Sequence, residues 1–263
     1  MYLEKILNTR RQSSEFQSGP ARQREFEQAA AAAGPVRDFA AALKAGPWPR
    51  IIAEIKRASP SRGVLNRSLD PADLARRYAA GGACALSVLT ETEHFQGRPD
   101  DLKSARQAVE LPVLRKDFLL EPWEIYASRA MGADAVLLIV AALSDELLAQ
   151  MQSLARRLGM AALVEVHDEA ELERALPLNP SLVGINNRNL TSFQVDRKIS
   201  QKLGTRLPPS VVRVSESGFF SRLELEELPE MDAFLVGESL VTAEDPALAL
   251  RRLREGQENS VEA

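Results

Sequence analysis

The stretch "IIAEIKRASPSRG", residues 51–63, opens as a buried strand and then changes character. Ile51, Ile52 and Ala53 suit an interior strand, but Glu54 and Lys56 follow, flanking Ile55, and a Ser-Pro-Ser-Arg-Gly turn comes at once. Residues two apart on a strand point to the same face, so Glu54 and Lys56 share one. By itself that pattern is either an ion pair at a solvated strand end or an acid and an amine placed for use. What gathers beside them decides.

Outward from this stretch, short aliphatic runs alternate with amphipathic helical ones. The strand runs are "IIAEI" (51–55), "ALSVL" (85–89), "PVLRK" (112–116) and "AVLLIV" (135–140), then "ALVEV" (162–166), "LVGIN" (182–186), "VVRVS" (211–215) and "AFLVG" (233–237). Between them lie helix patterns such as "PADLARRYAAGG", with Pro71 in the first turn and glycines at the end, "EPWEIYASRAMGA", "SDELLAQMQSLARRLG" and "DEAELERAL". "YAAGGAC" and "RAMGADA" both put glycine and small residues between helix and strand, as a tight connection requires. Eight strands so spaced predict an α/β fold, a single (β/α)8 TIM barrel. The rival is a doubly wound open sheet, but no Gly-rich dinucleotide turn follows the first strand.

Residues 1–48 stand outside this rhythm. They are rich in Gln, Arg and Ala, and "EFEQAAAAAG" and "FAAALKAG" read as helices that end in glycine. The expected organisation is an N-terminal helical extension over 1–48, the barrel over 49–254, and a polar, disordered tail over 255–263. The extension is expected to sit on one barrel mouth and help close the site there, as a segment too polar to be core, whose removal leaves a folded barrel with weaker binding. A surface appendage or an oligomer contact is the alternative.

Composition narrows the function classes. The 263 residues are 45% hydrophobic and 27% charged with a net charge of −4, ample for a core and opposed to nucleic acid or an anionic membrane as partner. An anionic ligand would need positive charge gathered locally against that global sign. One cysteine, Cys84 in an apolar run, excludes an internal disulfide and reads as a core thiol, and His94 and His167 are too few for a metal cluster. The start "MYLEKILNTRRQSSEF" has no apolar signal core and no segment approaches a membrane span, so the expectation is a cytoplasmic protein.

A barrel of this kind carries its active site at the C-terminal ends of its strands. Read in order, those positions hold Glu54 and Lys56, Ser87 to Thr90 with Glu91, Lys116, Glu165, Asn186 and Arg188, Ser215 to Gly218, and Gly237. Charged groups inside strands of Ile, Leu and Val cost heavily unless paired or used. A purely structural ion-pair network is the alternative to a site. The glycine turns "SESGFF" and "VGESL" follow strands seven and eight, where such barrels commonly bind phosphate on backbone N–H groups.

The motifs "AEIKRASPSRG", "LSVLTE", "LRKDF", "GADAVLLI", "LVEVH", "GINNRNL", "SESG" and "FLVGESL" resemble, in the same order, those of the indole-3-glycerol phosphate synthase family of tryptophan biosynthesis. The resemblance runs over nearly all of residues 1–254. It implies a (β/α)8 barrel with an extra N-terminal helical segment, and a carboxy-lyase acting on 1-(2-carboxyphenylamino)-1-deoxyribulose 5-phosphate. That substrate is cyclised, decarboxylated and dehydrated without cofactor or metal. Carried over by motif, Lys116 resembles the family's general acid for ring closure and Glu165 its general base, with Glu54 and Lys56 as active-site partners, Lys56 binding an anionic substrate group. Asn186 and Arg188 resemble the substrate-orienting pair, and Ser217, Gly218 and Gly237 the phosphate cradle. The resemblance also places Asn186 and Ser217 with the catalytic set, and Ser59, Phe95, Glu216 and Glu238 among the substrate-binding residues. Proton delivery in ring closure suits a lysine that is partly desolvated or near other cations. The chain departs from many relatives at "FQGRP", with Arg98 in place of Ser, and at Glu238, where a carboxylate beside phosphate is expected to turn away and offer only its backbone N–H.

Two related phosphate-binding barrels, a phosphoribosyl anthranilate isomerase and a tryptophan synthase α-type lyase, are rivals, but neither resemblance reaches "AEIKRASPSRG" or "LRKDF". A non-catalytic phosphosugar-binding barrel would keep the glycine turns without needing Lys116 and Glu165. The expected partner is a phosphorylated small molecule, with the chain a monofunctional monomer or weak homodimer.

Overall fold

The computed structural model describes residues 2–189 and 193–256. Among these, eight parallel strands close into a barrel: β1 Arg50–Ile55, β2 Ala85–Leu89, β3 Val113–Lys116, β4 Ala135–Ile139, β5 Ala161–Val166, β6 Leu182–Asn186, β7 Val212–Glu216 and β8 Ala233–Val236. Each strand pairs with its sequence neighbour and β8 closes on β1, with Arg50 opposite Ala233. All eight lie where the sequence predicts them, within a residue at either end. The "RASPSRG" turn holds a short antiparallel ribbon, Ala58–Ser59 against Gly63–Val64, that the sequence reading did not separate from the turn.

The period of two sorts the strand side chains into two cores. Ile52, Leu114, Leu137, Leu163, Val214 and Leu235 fill the barrel, while Ile51, Ala53, Leu86, Val136 and Val164 face the helices. Extending the inward series by two residues reaches Glu54, Lys116, Ile139, Glu165, Glu216 and Gly237, so the pleat itself delivers these positions to the mouth.

The N-terminal helices do more than decorate one mouth. In α1 (Tyr2–Gln12) an apolar face of Leu3, Ile6 and Leu7 is buried, and Tyr2, Leu3 and Ile6 line the cleft at the strands' C-terminal ends. Helix α2 (Gln23–Ala32) packs against the outer layer, with Phe26 stacked on Trp123 at 5.5 Å between ring centroids. The short helix α3 (Phe39–Ala42) and the residue after it place Phe39 and Leu43 in the barrel's inner core beside Ala85, Ala135 and Ala233, where they plug the opposite end. The expectation of a segment too polar for the core therefore fails: Leu3, Ile6, Leu7, Phe39 and Leu43 are buried, while Ala29, Ala31 and Ala32 stay exposed.

The outer layer follows its capping signals. Helix α4 (Pro71–Gly81) starts at Asp70, whose side chain accepts from Ala72 N and Asp73 N, and stops at Gly82 with φ +88°. Helix α5 (Pro99–Ala108) follows β2. Helix α6 (Pro122–Met131), which carries Trp123, starts with a capping box between Glu121 and Glu124 and stops at Gly132, φ +91°. Helix α7 (Glu169–Ala175) starts at Asp168; a short helix α8 (Glu238–Val241) follows β8, and the last helix, α9, spans Pro246–Glu255. Expected as the first residue of the tail, Glu255 instead ends this helix; residues 257–263 of the expected tail lie outside the described residues. Cys84 is half-buried, with its Sγ donating to Ile51 O at 3.3 Å, and burial pushes its thiol up to about 12.

Candidate active site

A cleft opens at the C-terminal ends of the strands, and most residues expected at the site line it: Glu54, Lys56, Ser59, Phe95, Lys116, Glu165, Asn186, Arg188, Glu216, Ser217, Gly218, Gly237 and Glu238. Ser87 sits beneath, fully buried, while Ser215 faces outward into a hydroxyl and amide cluster with Ser200 and Asn187. Thr90 lies behind the cleft, donating to Asp117 Oδ2 at 2.5 Å. Glu91 shapes the loop that carries Phe95: its carboxylate accepts from His94 N at 2.7 Å and Phe95 N at 2.9 Å. Arg98 stands just before α5 and is not among the lining residues.

The centre of the cleft is Lys116, whose Nζ donates to Glu165 Oε2 at 2.9 Å and lies 3.0 Å from Glu216 Oε2. Both carboxylates are at most 2% exposed, and all three groups sit on strand ends. Room for Glu216 comes from Gly184 of β6, where a Cβ would collide with its Oε1. Burial pulls the Lys116 amine down, yet Glu165, Glu216 and Glu54 outweigh it and hold the amine well above the ordinary lysine value. The sequence expectation of a lysine made more acidic by desolvation or nearby cations is corrected by this ring of carboxylates. Burial opposes charge on Glu165, but Lys116 and His167 prevail and hold it below the usual carboxylate range. Glu216 goes the other way: burial, together with Glu165, raises it to about 7 against the pull of Lys116. Two adjacent carboxyls with divergent proton affinities are the pattern from which acid and base roles are built.

Glu54 and Lys56 are paired directly, as their shared strand face predicts, through Glu54 Oε1 and Lys56 Nζ. Gly237 makes this pair fit, because a Cβ there would strike Glu54 Oε1 and crowd Lys56 Nζ. Across the cleft, Asn186 Oδ1 accepts from Ser217 Oγ at 2.9 Å and from Arg188 N at 3.1 Å, which fixes the amide's orientation. Ser217 has φ +72° and Gly218 φ +86°, two successive left-handed residues, a conformation uncommon for serine. Arg188 donates to Phe193 O at 3.1 Å. Glu238 lines the cleft and its Oε1 takes Arg62 Nε at 2.8 Å, so the loops after β1 and β8 are tied across the mouth.

Sequence reasoning missed the apolar half of the cleft. Tyr2, Leu3, Ile6, Leu89, Phe118, Leu137, Ile139, Phe193 and Leu235 join Phe95 there. Phe95 and Phe118 lie 6.1 Å apart, centroid to centroid. The signal for the barrel residues was the inward alternation itself; the segment holding α1 was expected to help close this mouth, but nothing in its sequence singles out the side chains that line it.

A family model described as indole-3-glycerol phosphate synthase matches residues 3–253. The indole-3-glycerol phosphate synthase of Acidovorax sp. (strain JS42) is 51% identical over 226 residues, covering 82% of this chain and 85% of that one. That of Paracidovorax citrulli is 50% identical with the same coverage. Among solved structures, KGPDC from Streptococcus mutans superposes with a TM-score of 0.57 at 14% identity, over 78% of this chain and 95% of that one. Thiamine phosphate pyrophosphorylase from Pyrococcus furiosus does so with a TM-score of 0.59 at 16% identity, over 78% and 93%. These last two likenesses show the barrel alone. Sequence identity near one half over 82% of the chain, and a family model matched from residue 3 to residue 253, show more: the chain belongs to the indole-3-glycerol phosphate synthase family.

Proposed function

We propose that this cleft closes the indole ring of 1-(2-carboxyphenylamino)-1-deoxyribulose 5-phosphate, with loss of carbon dioxide and water, to give indole-3-glycerol phosphate. The observation that carries the reading is Lys116 held between Glu165 and Glu216 on three rigid strand ends beside an aromatic and aliphatic wall. The aryl ring stacks among Phe95, Phe118 and Ile139. The phosphate lies at Ser217, Gly218 and Gly237, where backbone N–H groups can approach; α8 begins there with its first N–H groups lacking intrahelical partners. With its carboxylate engaged by Arg62, Glu238 offers the phosphate only backbone.

Lys116 is the general acid that protonates the carbonyl-derived oxygen during ring closure. Its carboxylate ring keeps it fully charged at rest, so its acidity is expressed only when substrate enters and takes the place of one partner. Glu165, held ionised, is the general base that removes the proton lost on rearomatisation. Lys56 neutralises the substrate carboxylate, and Glu54 keeps that amine in place. Asn186, whose Oδ1 is occupied, turns its Nδ2 to the substrate with Arg188 and Ser217 beside it. A monomer or weak homodimer and a cytoplasmic setting go with a biosynthetic activity of this kind. Adding the carboxyphenylamino substrate should produce indole fluorescence, with turnover abolished or strongly reduced in Lys116→Ala. Absence of indole product with the intact protein overturns the reading.

A further inference from the structure

His167 follows β5 directly and stands between two carboxylates. Its Nδ1 is 3.0 Å from Glu171 Oε2, and its Nε2 is 3.3 Å from Glu165 Oε1. Glu171 is itself fixed: it lies in the first turn of α7, its N–H donates to the capping Asp168 at 2.9 Å, and its carboxylate also accepts from His167 N at 2.8 Å. The cap of α7 thereby sets Glu171, Glu171 sets the imidazole, and the imidazole faces one oxygen of Glu165. The other oxygen of Glu165 faces Lys116. The two oxygens of the carboxylate are thus divided between a partner on its own segment and one across the barrel.

We propose that His167 is a positioning residue for the base: it holds Glu165 Oε1 so that Oε2 is the oxygen presented to the substrate when Lys116 turns to its own task. This rests on the reading of Glu165 as the base. A carboxylate on a strand end can rotate about its last bond, and with Lys116 engaged elsewhere the imidazole on the far side still holds Oε1. The charged groups around the pair are Lys116 of β3 and Glu216 of β7 for Glu165, and Glu165 and Glu171 for His167. Burial opposes charge on the ring, but Glu165 and Glu171 outweigh it and raise it to about 10, so the contact is an imidazolium facing a carboxylate.

A double-mutant cycle tests this. His167→Gln in the intact protein should lower kcat by about tenfold or more while changing KM by less than about threefold, since a base aimed wrongly still binds substrate. In the Glu165→Gln background the same change should lower kcat by less than about twofold, because nothing remains to be aimed. Equal losses in both backgrounds mean a structural role and overturn the proposal. A Glu165→Gln variant with undiminished turnover instead overturns the reading of Glu165 as base. Should His167→Gln not fold, imidazole nitrogen NMR on the intact protein decides, with His94→Ala separating the two histidine signals. Both ring nitrogens of His167 should carry protons at about pH 8; a ring that titrates near the ordinary value of about 6.5 overturns the proposal.

Discussion

Lys116 and Glu165 meet at 2.9 Å although 49 residues separate them, because β3 and β5 each direct their last inward side chain into one mouth. The lysine ends its strand; the glutamate is one residue short of the end of its own. Neither is free to move far, and each is the other's main source of charge stabilisation.

The first concerns the N-terminal segment. Arg10 of α1 is 7% exposed and donates to the fully buried Glu124 of α6 at 2.6 Å, next to the Arg115–Asp117 pair behind Lys116. Breaking a buried ion pair from one side costs about 3–5 kcal/mol, so Arg10→Ala should lower stability by that order in denaturant unfolding. It should also raise KM more than it lowers kcat, because Tyr2, Leu3 and Ile6 lose their hold on the cleft.

Truncation should divide the segment in two. Removing residues 1–13 should leave a folded barrel by circular dichroism with weakened substrate binding. Removing residues 1–45 should prevent folding, because Phe39 and Leu43 go with it and the far end of the barrel core opens to water. A stable, monodisperse barrel after the longer truncation would contradict the plug.

The glycine turns answer to a different readout. Gly218 sits at φ +86° with Val195 where a Cβ would point, so Gly218→Val strains the backbone and blocks the phosphate cradle. Its Michaelis constant should rise far more than its turnover falls. An unaltered constant would place the phosphate elsewhere.

A stability prediction follows from His167. Its folded value of about 10 lies above the unfolded value of about 6.5. A group raised on folding stabilises fully below its unfolded value and loses that contribution as pH climbs through the folded one. Unfolding free energy should therefore decline between about pH 6.5 and pH 10, and His167→Gln should flatten that decline. Identical slopes in the two proteins would refute the assignment.

How much of this was legible beforehand depends on where the physics is local. The strands were readable because β-branched runs and glycine-ended helices alternate, and Glu54, Lys116 and Glu165 were readable as charges intruding on apolar runs. Glu216 was read as part of a turn because "SESG" resembles one, yet Val212, Val214 and Glu216 continue the inward alternation just as Ile52 and Glu54 do. The raised proton affinity of Lys116 was not legible, since it depends on Glu216 and Glu54 arriving from other strands. The N-terminal segment was expected to help close the substrate site, but the plug formed by α3 was not legible: a few buried side chains dock it, and sequence spacing says nothing about which end of the barrel they fill.

The division of labour between acid and base is the central claim. General acid or base groups contribute about 10²- to 10⁴-fold in rate, and Lys116→Ala and Glu165→Gln should each slow turnover by about that factor with much smaller effects on binding. The direct measurement is the primary isotope effect on kcat with substrate deuterated at the proton lost on rearomatisation. It should be larger in Glu165→Gln than in the intact enzyme or in Lys116→Ala, because only the loss of the base makes that proton transfer limiting. A larger effect in Lys116→Ala would show the two roles to be reversed, and undiminished turnover in both variants would remove them from the chemistry altogether.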